Sequence, residues 1–444
     1  MRKLTSFLFL FLVSLSLNTI KAQTTINKAK LDSLLDIVNA KDKGMLSLAV
    51  MQNGKHIYSK SIGYADLTAD KKIKATLETK YRIGSISKVF TGVMIFQLIQ
   101  EGKLKLTTPL SDFYPSVTNA NKITIANLLD HSSGLFNFTS SPNYASKEEI
   151  KTTQLEQLKE FQHPAVFEPG AKHEYSNTNF VLLGFIIEKL DKKSYAEAVK
   201  KRITDKLGLK NTYYGGKINT ANKEAKSYKW AGSWKLNTET DMSIPGGAGA
   251  MVSTPRDLVE FFSALFDGKL ITSNSLEQMK TATQGYGKAL FPTGFEGKEG
   301  FGHTGAIDGF QSQAIYLPKE NVTVALISNG VNAPLNSIGV GALRIIFDKP
   351  YQLPDFKEFA VKAEDLDQYT GIYSDSSFPL KITITKKDAV LYAQATGQSE
   401  FPLNPTKPNV FTFDAAGITL TFDTANKQMT LKQGAGNFVL TKEK

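Results

Sequence analysis

From Val89 to Ile99 the chain carries Val89, Phe90, Val93, Met94, Ile95, Phe96, Leu98 and Ile99, apolar residues spread nearly all round a helix. A helix without a polar face has to be buried, so this run predicts a central helix around which the other elements pack. Gly102 is its stop signal. At its mouth stand Ser85 and Lys88. A helix starting near Ser85 puts these two on one face, about 5–6 Å apart between Cβ atoms. It also places Ser85 where free backbone N–H groups and the helix dipole favour developing negative charge. A hydroxyl, a nearby amine to accept its proton and donors for an oxyanion are what an acyl-transfer nucleophile requires. A capping serine followed by a solvated lysine would give the same tetrapeptide, so partners elsewhere in the chain must decide.

The chain has 444 residues, 41% hydrophobic and 21% charged, enough for two globular domains. Arg2 and Lys3, the apolar stretch Leu4 to Leu17 and a possible cleavage site at Ile20-Lys21-Ala22 read as a signal peptide over 1–22, predicting an exported protein, periplasmic or secreted. Its apolar core is short for a membrane span. Cleavage removes Arg2, Lys3 and Lys21 and lowers the formal charge from +11 to +8, ordinary solubility charge that also suits association with a polyanionic cell envelope. The chain has no cysteine, which excludes disulfides, a thiol nucleophile, a thiolate metal site and a lipid-anchor cysteine.

In chain order, Leu31, Leu34, Leu35 and Val38 predict an amphipathic helix over 26–40. A hairpin follows, with strands 46–51 and 56–62 about Asn53-Gly54. Residues 106–124 are loop-rich, and 125–129 form a short helical piece before Asp130-His131-Ser132-Ser133-Gly134. Tyr175-Ser176-Asn177 precedes an apolar helix over 180–190, and a further helix runs over 195–207. Pro245 to Gly249 is a tight glycine-rich turn, then a helix over 256–265 with Thr254 or Ser253 as cap. His303-Thr304-Gly305 stands before a hairpin of strands 311–317 and 322–327, and 334–347 is a final helix. Prolines and charges over 349–367 mark a linker. Residues 368–444 alternate in short strands, predicting a small antiparallel β domain, sandwich or barrel, without evident chemistry of its own.

Three short elements thus stand in order: Ser85-x-x-Lys88, Tyr175-x-Asn177 and His303-Thr304-Gly305. Together they resemble the serine β-lactamase and penicillin-binding-protein superfamily, most of all its class C β-lactamase-related branch. Arg82-Ile83-Gly84-Ser85-Ile86-Ser87-Lys88, His131 to Leu135 and the Gly247-Ala248-Gly249 turn strengthen the likeness, which covers roughly 27–348. It implies an α/β (α+β) fold, a β-lactamase/transpeptidase-like catalytic domain over 23–348 with an antiparallel sheet flanked by helices and a helical lobe. It also implies roles. Ser85 becomes acylated; Lys88 or Tyr175 takes its proton. Asn177 orients the lysine and the substrate amide. The backbone N–H groups of Ser85 and Ala306 form an oxyanion hole, and His303, Thr304 and Gly305 bind substrate. The family's third element usually begins with lysine, which holds a substrate carboxylate. Here it is His303, mostly uncharged at neutral pH, which favours esterase and D-amino-acid-specific peptidase relatives.

The expected activity is hydrolysis of an ester or amide (a D-amino-acid peptide, ester or β-lactam) through a Ser85 acyl-enzyme, without cofactor. The alternative is a penicillin-binding-like envelope protein that binds or acylates without turnover. The partner is a small-molecule or peptidoglycan-derived peptide substrate. Nucleic acid is not expected, because basic and aromatic residues do not interleave. A metal is not expected, because His56, His131, His163, His173 and His303 are scattered. A Gly-x-Ser-x-Gly elbow is missing, against an α/β-hydrolase. Asp130 and His131 suggest a serine triad, but their place before a Ser-Ser-Gly turn predicts a structural role.

Overall fold

A computed structural model describes residues 26–443 except 69–71, 357–358, 360, 377, 397–399, 414–416 and 434–435. The expected signal peptide, 1–22, lies outside the described residues. Among those described, no helix is long and apolar enough to cross a membrane.

The first region is built on a six-stranded antiparallel sheet. Its order is Phe291–Pro292, Phe301–Ile307, Phe310–Leu317, Val322–Val331, Gly44–Gln52 and Lys55–Ile62. The strand nearest the N-terminus therefore sits inside the sheet, with Gly44 opposite Val331 and Gln52 opposite Val322. Gly44–Gln52 and Val322–Val331 are buried along their whole length, because both faces of the sheet are covered. Leu46, Leu48 and Val50 alternate onto one face with Val324 and Leu326, against the helices Lys28–Ala40 and Leu335–Ile346. Ala49, Met51, Ala325 and Ile327 point the other way, toward the helix Pro255–Phe266 and the central helix.

The central helix is Ser87–Gln100, buried from Ser87 to Leu98. Phe90 stacks on Phe261 at 3.8 Å, and a Cβ on Gly92 would lie 2.5 Å from that of Ala289, so only glycine admits that crossing. The helix begins later than the sequence suggests. Ser85 lies in a separate 3₁₀ turn, Gly84–Ile86, that enters the helix.

Most other elements stand where the periodicity puts them: Lys28–Ala40, Ile125–Leu129, Asn177–Asp191 and Pro255–Phe266, the last capped by Thr254. The helix predicted over 195–207 is two α segments joined by a π segment, Lys200–Thr204. The glycine-rich turn is a single helical turn, Gly246–Gly249.

The second region is a closed barrel of eight antiparallel strands, from Gly371–Asp375 to Gly436–Lys442, with those two strands paired to each other. Closure removes sheet edges. Tyr369, Tyr373, Phe411 and Phe422 pack inside it with Leu391, Leu403, Leu420 and Leu440. Two strands escaped the sequence reading, Gly371–Asp375 and Phe401–Lys407. The second carries Pro402 and Pro405, which ordinarily argue against a strand.

Candidate active site

Ser85 is held by what surrounds its turn. Gly84 has φ +50°, and a Cβ there would stand 2.8 Å from the Ala306 nitrogen and carbonyl oxygen. A Cβ on Gly305 would stand 2.1 Å from the Ile83 oxygen and 2.9 Å from the Ser85 nitrogen. The turn and the strand Phe301–Ile307 thus touch backbone to backbone, possible only because both positions are glycine. Ser312, on the neighbouring strand Phe310–Leu317, also holds the start of the turn by donating to the Ile83 carbonyl at 2.8 Å. These contacts set the Ser85 and Ala306 backbone on adjoining stretches of chain.

A buried ion pair reinforces this contact. Arg82, three residues before Ser85, donates to Asp308 at 2.9 Å, and the two side chains are 2% and 1% exposed. Arg82 also donates to the Thr240 carbonyl at 2.9 Å and to Glu239 at 3.0 Å. The second Asp308 oxygen accepts from the Thr240 hydroxyl at 2.6 Å. Sequence reading passed over this pair, since 226 positions separate the partners and neither residue alone marks it.

The three motifs converge. The Lys88 amine lies 3.0 Å from Ser85 Oγ, 2.8 Å from Asn177 Oδ1 and 2.8 Å from the Ala248 carbonyl. Tyr175 donates its hydroxyl to Ser85 Oγ at 2.8 Å. Asn177 opens its helix; its N–H donates to Asn137 at 3.0 Å and its Nδ2 to Thr139 at 3.3 Å. That arrangement turns the amide oxygen toward Lys88. Neither Asn137 nor Thr139 was singled out in the sequence.

Burial sets the protonation states. Lys88 is fully buried, and loss of hydration pushes its amine well below the ordinary lysine value. Desolvation pushes the Tyr175 phenol up, more than its hydrogen bond to Ser85 pulls it down. His303 is buried and pushed down to about 3, chiefly by desolvation and then by nearby Lys88. Its Nδ1 faces the Thr304 carbonyl, and Nε2 has no hydrogen-bond partner.

Ser85, Tyr175, His303, Thr304 and Ala306 line one cleft of about 1100 Å³. Beyond the short pairing with Phe291–Pro292, the outer edge of Phe301–Ile307 carries no strand partner among the described residues. Pro334 to Ser337 and Gly417 of the barrel line the same cleft. Thr304 and Ala306 are exposed there, while His303 lies in the wall. No group of three or more potential metal ligands occurs among the described residues.

Residues 36–339 match the model of the Beta-lactamase family. The chain belongs to the β-lactamase family. The protein flp of Staphylococcus aureus (strain NCTC 8325 / PS 47) is 27% identical over 343 residues, 73% of this chain; the match spans 66% of flp, just under two thirds. The D-amino acid amidase of Ochrobactrum anthropi SV3, solved with L-phenylalanine amide, is similar in structure with a TM-score of 0.64 and 29% identity, covering 72% of this chain and 98% of that one. The octameric penicillin-binding protein homologue from Pyrococcus abyssi has a TM-score of 0.64 at 24% identity and covers 94% of this chain and 99% of its own, a likeness of fold that takes in the barrel region. Family and fold together support a serine hydrolase.

Proposed function

We propose that this chain is an exported serine amidase or esterase acting on small D-amino-acid amides, esters or peptidoglycan-derived peptides through a Ser85 acyl-enzyme. The surroundings of Lys88 carry the reading. A neutral amine has two N–H donors and one lone pair. Asn177 Oδ1 and the Ala248 carbonyl can only accept, so they take both donors. The lone pair then faces Ser85 Oγ, 3.0 Å away. Lys88 is the base, and Tyr175, kept protonated by its raised pKa, is the acid that serves the leaving group. In acylation the Ser85 proton passes to Lys88, Oγ bonds the substrate carbonyl carbon, and the Ser85 and Ala306 amides receive the oxyanion. Collapse breaks the bond to the leaving group, which takes the Tyr175 proton; the Lys88 ammonium then restores it. Water repeats the sequence to release the acid.

Neutral His303 offers a substrate carboxylate no charge, which supports amides and esters over free D-Ala-D-Ala termini. The likeness to a D-amino acid amidase supports the same class. The test is hydrolysis of D- and L-phenylalanine amide and a chromogenic ester by wild type and Ser85→Ala, with a fluorophosphonate adduct mapped by mass spectrometry. Turnover lost with Ser85 supports the reading. An adduct without turnover of any ester, lactam or D-peptide overturns it in favour of a penicillin-binding-like protein that acylates and stops. His303→Lys should improve use of substrates with a free carboxylate; no change removes His303 from the specificity argument. The basic-then-apolar start at 1–22 supports export, checked by the N-terminus of protein recovered from the cell exterior.

A further inference from the structure

His131 packs against Tyr175, and the chemistry above leaves it without a task. It grips Tyr175 from three directions. The Glu174 N–H donates to the His131 carbonyl at 2.9 Å. The Ser176 N–H donates to His131 Nδ1 at 3.1 Å. Between those two bonds, the imidazole stacks on the Tyr175 ring, with centroids 4.4 Å apart and planes 27° from parallel. Both peptide neighbours of the tyrosine and its ring are thus set by one residue.

That residue is itself fixed. It is 1% exposed, and its backbone is left-handed, φ +60°. Asn179 Nδ2 approaches the same Nδ1 at 3.3 Å, and Asn179 Oδ1 accepts from Ser133 at 2.6 Å. Because Nδ1 accepts, the ring proton sits on Nε2 and the imidazole is neutral. A neutral ring can lie against the tyrosine without adding a second cation near Lys88.

We propose that His131 is the positioning residue that aims the Tyr175 hydroxyl at Ser85 Oγ and at the departing group. The inference rests on the acid role given to Tyr175 above. It predicts a loss that depends on the leaving group. A p-nitrophenolate departs without needing a proton, whereas an alkyl amine does not. A misplaced acid therefore penalises the amide and spares the activated ester.

The test compares kcat/KM for a D-phenylalanine p-nitrophenyl ester and D-phenylalanine methylamide in wild type, Tyr175→Phe, His131→Gly and His131→Asn. Glycine tolerates the left-handed backbone and removes the side chain; asparagine tolerates it too and keeps an acceptor for Ser176. His131→Gly should lose about 100-fold on the amide and only a few-fold on the ester, the order expected of a displaced catalytic group. Tyr175→Phe should show the same bias, more strongly. His131→Asn should fall between wild type and His131→Gly with that bias preserved. Equal losses on both substrates, in whichever His131 variant folds as judged by circular dichroism, overturn the proposal. A wild type that turns over neither substrate instead defeats the proposed function, so the two failures are distinguishable.

Discussion

The two regions solve the problem of an interior in opposite ways. The β-lactamase-family region buries Lys88, Arg82, His131, His303, Asn179 and Asn329. Beyond Asn332 no charged side chain is buried among the described residues, and the barrel interior is mostly aliphatic and aromatic, with the Tyr373 hydroxyl donating to the Tyr369 carbonyl at 2.9 Å and the Thr412 hydroxyl oxygen also buried. Each buried polar group costs desolvation that only directed partners offset. A region that accepts those costs is one where polar groups are held for chemistry; one that largely avoids them is held mainly by packing.

The sharpest way to break this contrast is Ser85→Ala. It should lower turnover by about 10⁴ or more, which corresponds to over 5 kcal/mol of lost transition-state stabilisation, while calorimetry finds both regions melting as before. Leu420→Ala, in the barrel, should cost about 2–5 kcal/mol of barrel stability and leave fluorophosphonate labelling of Ser85 unchanged in the folded protein. Asp308→Ala removes the buried carboxylate of the Arg82 pair and leaves Glu239 and two backbone carbonyls on the guanidinium, so it should cost about 1.5–3 kcal/mol, the range for a lost hydrogen bond to a charged group, seen by denaturant titration.

A smaller effect concerns Lys88. The folded chain holds this amine neutral at pH values where the unfolded chain still binds a proton. The unfolded state then carries the extra proton, so stability rises with pH from the lowered folded value up to the ordinary lysine value near 10.4. Within that window wild type should therefore gain stability with pH relative to Lys88→Met, with a slope of at most about 1.4 kcal/mol per pH unit. Identical slopes in parallel denaturant titrations contradict a neutral Lys88. Smallest of all is Lys381→Ala, which removes the exposed pair with Glu443 on the barrel and should leave the denaturation midpoint essentially unchanged.

How much of this was legible in the sequence also divides along the same line. The fully apolar helix, the Asn53-Gly54 hairpin and the Thr254-Pro255 start are local signals, and the structure keeps them. Ser85, Lys88, Tyr175 and Asn177 could be assembled because their spacing matches a known pattern; their meeting at 2.8–3.0 Å is tertiary. The Arg82–Asp308 pair, Asn137 and Thr139 left no local trace, since each acts only across the fold. In the barrel, alternation marked six strands, while Pro402 and Pro405 hid another that the closed ladder tolerates.

The placement of Gly44–Gln52 inside the sheet has a consequence for synthesis. Its partner on one side, Val322–Val331, is translated only after the entire helical lobe. A nascent chain therefore carries a strand that is apolar on both faces and lacks a neighbour along one edge. The sheet cannot close until the ribosome has passed residue 331, and the long wait for this distant pairing makes folding slow by topology. Until then this early segment is the stretch of the sheet most exposed to pairing with the wrong strand.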